Sequence, residues 1–321
     1  MKNNSVLLPL TFILIAFIWS NCSNSTDNKE NKSKPQKLSP HIFVFGGKEG
    51  KNIINTTDGY NPQTNIWSSF RHIPNPRIGS SAVTYQNKIF LIGGWKGNVS
   101  NANELFYPES NSWEIKSSML TPRISFGLVC VNDKLYAIGG WKNFSLQTNE
   151  EYDILNDKWT QKSPMPTARE GLCTVVVDSL IYAIGGINKD SILNINEVYN
   201  PFTDKWEKQT PMPTARFGAV AACVNNKIYV IGGSDSKQCL NIVEEYDPLN
   251  KKWTLKKPMP TSRQGMCVAV YSNLIYVFGG QTNDTTITDV VEVYDPSSDK
   301  WETKAPLPLR RTDACAATYN P

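Results

Sequence analysis

Residues 216–260 read RFGAVAACVNNKIYVIGGSDSKQCLNIVEEYDPLNKKWTLKKPMP and contain every element of a pattern that the chain repeats six times. The pattern starts with Arg216, continues with an apolar run that ends in Gly232 and Gly233, and closes with Tyr246 and Trp253. The glycine pairs start at Gly46, Gly93, Gly139, Gly185, Gly232 and Gly279, and the equivalent tryptophans are Trp67, Trp113, Trp159, Trp206, Trp253 and Trp301. Both series step by 46 to 48 residues, a period typical of solenoids, propellers and repeat arrays.

Each repeat contains four short segments with the character of β-strands. Asn225 and Asn226 follow the first segment, where a two-residue hairpin requires positive φ, and Pro248 precedes the turn between the third and fourth. The second segment, for example residues 135–138, is apolar at nearly every position, so both of its faces must be covered. The sequence therefore predicts four-stranded antiparallel units that stack face to face in a closed ring.

These residues resemble the kelch repeat, whose signature is an arginine, a strand ending in Gly-Gly, a Tyr-Asp-Pro segment and a tryptophan. The resemblance covers residues 41–321, and one departure is Phe106 in place of the tyrosine. The last copy stops after its first strand, at residues 311–320, and its continuation is residues 41–47. The resemblance implies an all-β, six-bladed propeller that is closed when the C-terminal strand joins the N-terminal blade.

The arginines of the repeat suggest anion binding, but an acid recurs two places before each tyrosine position. Because a natural ligand rarely has sixfold symmetry, we interpret both series as structural ion pairs within or across blades. The arginines are Arg77, Arg123, Arg169, Arg216, Arg263 and Arg311, and the acids are Asp58, Glu104, Glu150, Glu197, Glu244 and Glu292.

Only the segment after the glycine pair varies in length between repeats, and it lies on the same face as the entry into the first strand. Variable loops on a fixed scaffold are where recognition usually occurs. The candidate binding residues on this loop face and at the channel mouth are Ile78, Trp95, Ile124, Trp141, Glu170, Ile187, Phe217, Gln264, Gln281 and Thr312. Trp95 and Trp141 either form an aromatic patch for a peptide or sugar, or simply cover the glycine turns.

The N-terminus has the composition of an export signal. Lys2 precedes an apolar run at residues 6–19, which is short for a membrane span, and Cys22 follows where a bacterial lipoprotein is cleaved and acylated. We divide the chain into a leader (1–22), a polar disordered tether (23–40) and the propeller (41–321). The protein is expected to be an exported lipoprotein, periplasmic or on the cell surface; ordinary signal cleavage with secretion, or a retained anchor, are the alternatives.

Composition argues against several classes of function. The first forty residues carry +3 of the formal net charge of +4, so the propeller is nearly neutral and no nucleic-acid partner is expected. With His41 and His72 as the two histidines and no paired cysteine motif, we predict no metal and no cofactor. Most cysteines fall on first strands, which favours packing over a disulfide framework, and Cys239 in a loop is the better candidate for a reactive thiol.

Two functions remain. The first is a monomeric, non-enzymatic module that binds a protein or peptide, with a glycan as a further ligand class, and contacts the membrane only through its anchor. The second follows from a resemblance of some exported kelch propellers to sialic-acid mutarotases. In that case Glu170, beside a channel-facing arginine, would act as acid or base on a sugar.

Overall fold

The structure is a computed structural model that describes residues 37–189, 191–282 and 286–321. The predicted leader 1–22, with Cys22, and the tether up to residue 36 lie outside the described residues and stay predictions. Residues 37–321 form one compact unit of strands and turns. No helix in this described part is long and apolar enough to cross a bilayer.

Six four-stranded antiparallel sheets form the blades of a propeller. Blade one contains β30 (Cys315–Tyr319), β1 (His41–Phe45), β4 (Thr57–Asn61) and β5 (Ile66–Phe70). Blades two and three contain β6 (Ser81–Tyr85), β7 (Lys88–Ile92), β10 (Asn103–Tyr107) and β11 (Ser112–Lys116), then β12 (Gly127–Val131), β13 (Lys134–Ile138), β14 (Asn149–Asp153) and β15 (Lys158–Lys162). Blades four to six contain β16 (Cys173–Val177), β17 (Leu180–Ile184), β20 (Asn196–Asn200) and β21 (Lys205–Lys208), then β22 (Val220–Val224), β23 (Lys227–Ile231), β24 (Val243–Asp247) and β25 (Lys252–Lys256), then β26 (Cys267–Tyr271), β27 (Leu274–Phe278), β28 (Val291–Asp295) and β29 (Lys300–Thr303).

Short ribbons extend three of the loops that follow the glycine pairs. They pair β2 (Lys48–Glu49) with β3 (Asn52–Ile53), β8 (Trp95–Lys96) with β9 (Asn98–Val99), and β18 (Ile187–Asn188) with β19 (Ser191–Ile192). The glycine pairs themselves permit a close approach between two segments of the backbone. Gly139 has φ +64°, and a Cβ there would lie 2.7 Å from the carbonyl oxygen of Arg169 in the entry to the next blade.

The ring is closed by the two ends of the propeller, as predicted. β30 pairs antiparallel with β1 in a register that runs from His41 opposite Tyr319 to Phe45 opposite Cys315. Blade one is therefore built from both ends of the unit. Arg311 strengthens this join, because its guanidinium lies 2.6 Å from the carboxylate of Asp58 on β4.

Each of the six repeat arginines lies against one of the six repeat acids inside a single blade. Five pairs are 2.5 to 2.8 Å apart, and Arg77 with Glu104 forms the sixth. None of these side chains is more than 4 % exposed. The arginines also donate to strand carbonyls, such as Arg123 to Ala137 and Gly139, so each charge is compensated and no guanidinium points into solvent.

Adjacent blades are joined at their outer strands by two hydrogen bonds through one residue. That residue lies four places after the repeat tryptophan of its own blade. Its carbonyl accepts a hydrogen bond from the indole of the repeat tryptophan in the next blade, as Ser117 does from Trp159 at 2.8 Å. Its amide donates to a turn side chain of the same next blade, as Ser117 does to Asp157 at 2.8 Å. The turn acceptors are Asn65, Asn111, Asp157, Asp204 and Asp299.

Blade five departs from this arrangement. Lys251 occupies the acceptor position there, with φ of 52°, close to the 50° of Asp157. It offers its backbone carbonyl to the hydroxyl of Thr210 instead, while the tyrosine of the blade, Tyr246, makes a long bond of 3.5 Å to Gln209. The junction between blades four and five therefore lacks the side-chain acceptor that the other five junctions have.

Lys251→Asp should stabilise the protein, because the carboxylate would accept from both the Thr210 amide and the Tyr246 hydroxyl. We expect a gain of about 1 kcal/mol, or roughly 2–4 °C in Tm, by calorimetry. Asp also tolerates positive φ better than Lys, so a double-mutant cycle isolates the new bond. Tyr246→Phe should cost more in the Lys251→Asp background than in the wild type; equal costs would contradict the account.

Candidate functional site

The ten candidate binding residues lie at the loop-face end of the channel and pair across the main chain. Each residue after a repeat arginine bridges to the residue after a glycine pair in its own blade, with N–O distances of 2.8 to 3.1 Å in both directions. The six pairs are Ile78 with Trp95, Ile124 with Trp141, Glu170 with Ile187, Phe217 with Ser234, Gln264 with Gln281, and Thr312 with Lys48. The candidate residues thus lie in main-chain pairs, one pair in each blade, that form a ring around the mouth.

A closed belt of backbone hydrogen bonds lies next to this ring. The amide of each belt residue donates to the carbonyl of the belt residue in the preceding blade, at 2.9 to 3.0 Å. The belt residues, all with positive φ, are Gly79, Ser125, Gly171, Gly218, Gly265 and Asp313. Because these amides and carbonyls bond one another around the ring, recognition at the mouth depends on side chains.

The channel beyond the belt is lined mainly by small, uncharged side chains. Its largest chamber, about 410 Å³, is lined by alanine, valine, leucine, threonine and cysteine, including Ala221, Cys223 and Val268. No charged side chain is among its lining residues. The lining of this chamber therefore offers no charged group to a phosphate, a metal ion or an acidic sugar.

The apolar part of the loop face is concentrated on blades two and three. Trp95 and Trp141 are half-buried, and neither indole makes a ring contact with another aromatic side chain of the described chain, so the two rings do not stack on each other. Phe144 is 66 % exposed at the edge of a cavity of about 740 Å³. Leu120 is 56 % exposed and directly precedes Thr121, which lines the same cavity. A second cavity of about 430 Å³ lies between blades five and six beside Phe217.

Glu170 is chemically distinct from the other residues at the mouth. Burial raises its pKa to about 6. Its Oε2 atom is buried and has no hydrogen-bond partner in the described chain. The sugar hypothesis requires an arginine that faces the channel beside Glu170, but the adjacent Arg169 does not face it. Arg169 is fully buried inside the blade, where its guanidinium forms an ion pair with Glu197 and donates a hydrogen bond to the carbonyl of Ala183.

Metal and redox chemistry find little support in the described residues. No group of three or more His, Cys, Asp or Glu side chains there is arranged to hold a metal ion. Cys130, Cys173, Cys223, Cys267 and Cys315 are free thiols on innermost strands. Burial raises the pKa of the Cys130 thiol to about 11, which makes it a poor nucleophile. The thiol of Cys239 lies 3.3 Å from the carbonyl of Gln281.

A family model described as the KLHDC2/KLHL20/DRC7 Kelch-repeats domain matches residues 18–186 and 171–320. The chain belongs to the kelch-repeat family. It is also similar to two curated proteins of Limulus polyphemus, beta-scruin at 38 % identity and alpha-scruin at 33 % identity. Each match spans 58 residues, which is 18 % of this chain and 6 % of the relative. Kelch propellers are commonly protein-interaction modules.

The list of ten candidates leaves out four other residues of this kelch surface. Lys48 and Ser234 follow glycine pairs just as Trp95 does, so counting from the glycines would have found both. Phe144 and Leu120 carry no repeat signal. Their exposure depends on how one loop and one connection fold, and the periodicity of the sequence contains no information about that.

Proposed function

We propose that this kelch propeller binds a protein or peptide through its loop face, as an exported protein anchored by a lipid on Cys22. The observation that carries the proposal is the concentration of half-buried and exposed apolar side chains above a mouth whose main chain is already hydrogen-bonded. Tryptophan and other aromatic residues dominate the energetics of protein interfaces.

The repeat itself supports recognition at this face. The spacing from the repeat arginine to the glycine pair is 16 residues in five copies. The spacing from the aromatic residue of the third strand to the tryptophan is 7 residues in all six copies. The loop face alone varies in length between the repeats. The ion pairs, the belt and the outer-strand bonds fix the rest of each blade, so the loops can differ without disturbing the ring.

The export proposal rests on the composition of the N-terminus: Lys2, the apolar run at residues 6–19 and Cys22. Secretion after ordinary cleavage is the alternative. The described chain enters the propeller at the face opposite the loops, since Ser39 accepts from Asn61 at the turn after β4. An anchored propeller tethered there could present its loop face away from the membrane. A monomer is expected.

The test is binding by residues 37–321, which contain every described strand and the closed ring. Ligands selected from a displayed peptide library should bind the wild type. They should lose about 30-fold or more in affinity for a variant with Trp95→Ala, Trp141→Ala and Phe144→Ala, since the loss of even one such anchor costs about 2 kcal/mol. Ile115→Ser, which removes an exposed isoleucine from an outer strand, is the matched control. Equal losses of affinity in the triple variant and the control, or selected ligands whose affinity changes in neither, would refute loop-face recognition.

A sugar mutarotase is the second candidate, and the raised pKa of Glu170 is the observation that favours it. The ionised carboxylate would take the proton of the anomeric hydroxyl as the bond between the anomeric carbon and the ring oxygen breaks, and water would protonate the ring oxygen. Closure on the other face of the carbonyl would reverse both proton transfers. Exchange between anomers of N-acetylneuraminate or galactose, measured by NMR, should then rise with pH through about 6. Glu170→Gln should lower it by about 100-fold. Exchange no faster than in buffer would eliminate this candidate.

A further inference from the structure

Three turns on the face opposite the loops present exposed apolar side chains. Leu155, Phe202 and Leu249 hold the same position in the turns between the third and fourth strands of blades three, four and five. They are 78 %, 74 % and 88 % exposed. Equivalent positions around a propeller axis lie in one plane, so the three side chains can touch a flat surface together.

The turn does not require an apolar residue at this position. The residue contributes its backbone amide to the side chain two places earlier, as Leu249 does to Asp247 and Ser297 does to Asp295. Blades one, two and six carry Gln63, Glu109 and Ser297 there. The apolar side chains are thus confined to one half of the face and are not explained by folding of the turn.

Contacts in blades one and two place these turns at the channel end opposite the loops. Gln63 donates to the hydroxyl of Tyr271, and Glu109 accepts from the hydroxyl of Tyr319. Both tyrosines are the last residues of innermost strands, at the end far from the mouth. The described chain also enters the propeller on this face, next to the turn that follows β4.

The charges beside the three turns suit an anionic surface. The exposed side chains that flank them are Lys158, Lys205, Lys251 and Lys252. The acids of the same turns are half-buried and already engaged: Asp153 bonds Lys134 at 2.5 Å, Asp247 pairs with Lys227, Asp157 accepts from Tyr152, and Asp204 accepts from Tyr199. Two further exposed acids, Asp133 and Asp178, lie on the inner hairpins.

We propose that this face, defined by Leu155, Phe202 and Leu249, docks on a bilayer that contains anionic lipids. Leucine and phenylalanine insert at the headgroup boundary while lysines contact the phosphates. The inference rests on the proposed lipid anchorage, because an anchor on Cys22 would hold the propeller close to a bilayer and a second contact would add to that attachment. Docking here would fix the orientation of the propeller and keep the loop face open to a partner.

The test uses residues 37–321, so that the outcome does not depend on the anchor. Binding to vesicles of equal parts phosphatidylglycerol and phosphatidylcholine is measured by co-sedimentation across a lipid titration. Leu155→Ser, Phe202→Ser and Leu249→Ser together should lower lipid partitioning by about tenfold or more. Ser297→Leu, which adds a fourth apolar turn in blade six, should raise it. Leu255→Ser removes an equally exposed leucine, 72 %, from an outer strand of blade five and should leave partitioning unchanged.

Three results would overturn the proposal: no sedimentation of the wild type with vesicles, equal sedimentation of the triple variant, or equal losses in the triple variant and Leu255→Ser. A wild type that self-associates in analytical ultracentrifugation, with a monomeric triple variant, would instead assign the face to a second copy of the chain. Anchorage is tested separately by fractionating cells that express the full chain with Cys22→Ala, so failure of the anchor and failure of the docking face give different results.

Discussion

Everything in this propeller depends on the pairing of β30 with β1. In a row of stacked blades the first and last would each leave an apolar sheet face uncovered, and these middle strands are apolar on both sides. Closing the ring removes both bare faces at once. The join is reinforced from two directions: Arg311 bonds Asp58 inside blade one, and Thr84 donates across the next boundary to the carbonyl of Thr318 at 2.7 Å. The blades therefore stabilise one another only when the two ends of the ring meet.

The repeat divides its residues between holding the ring and facing outward. The arginine, the acid, the glycine pair and the tryptophan all bond to protein groups, which is why sixfold recurrence does not indicate a ligand. Other side chains, which do not hold the ring together, lie on its two faces. These are Trp95, Trp141 and Phe144 on the loop face, and Leu155, Phe202 and Leu249 on the opposite face. This separation allows one face to bind a partner while the other contacts a membrane, since neither set supports the fold.

The fold could be predicted from the sequence because the residues that hold each blade together recur at a fixed spacing. The period, the hairpin turns such as Asn225 and Asn226, and the split last repeat together specify six blades and their closure.

The site could be predicted only in part. Position after the glycine pair locates Trp95 and Trp141, but whether their rings meet depends on loop geometry. The expected channel-facing arginine was wrong for a physical reason: a guanidinium next to Glu197 and a strand carbonyl is held inside the blade. Phe144 carries no periodic signal at all.

The most direct test of the account is native-state hydrogen exchange of the closing strands, followed by mass spectrometry over a range of sub-denaturing urea. If closure holds the ring together, the amides of Val44 and Ala316 should exchange only through global unfolding, with the same free energy and urea dependence as those of β13 in blade three. A lower opening free energy for β1 and β30, with the other five blades still protected, would show that the ring survives without its join and would contradict the account.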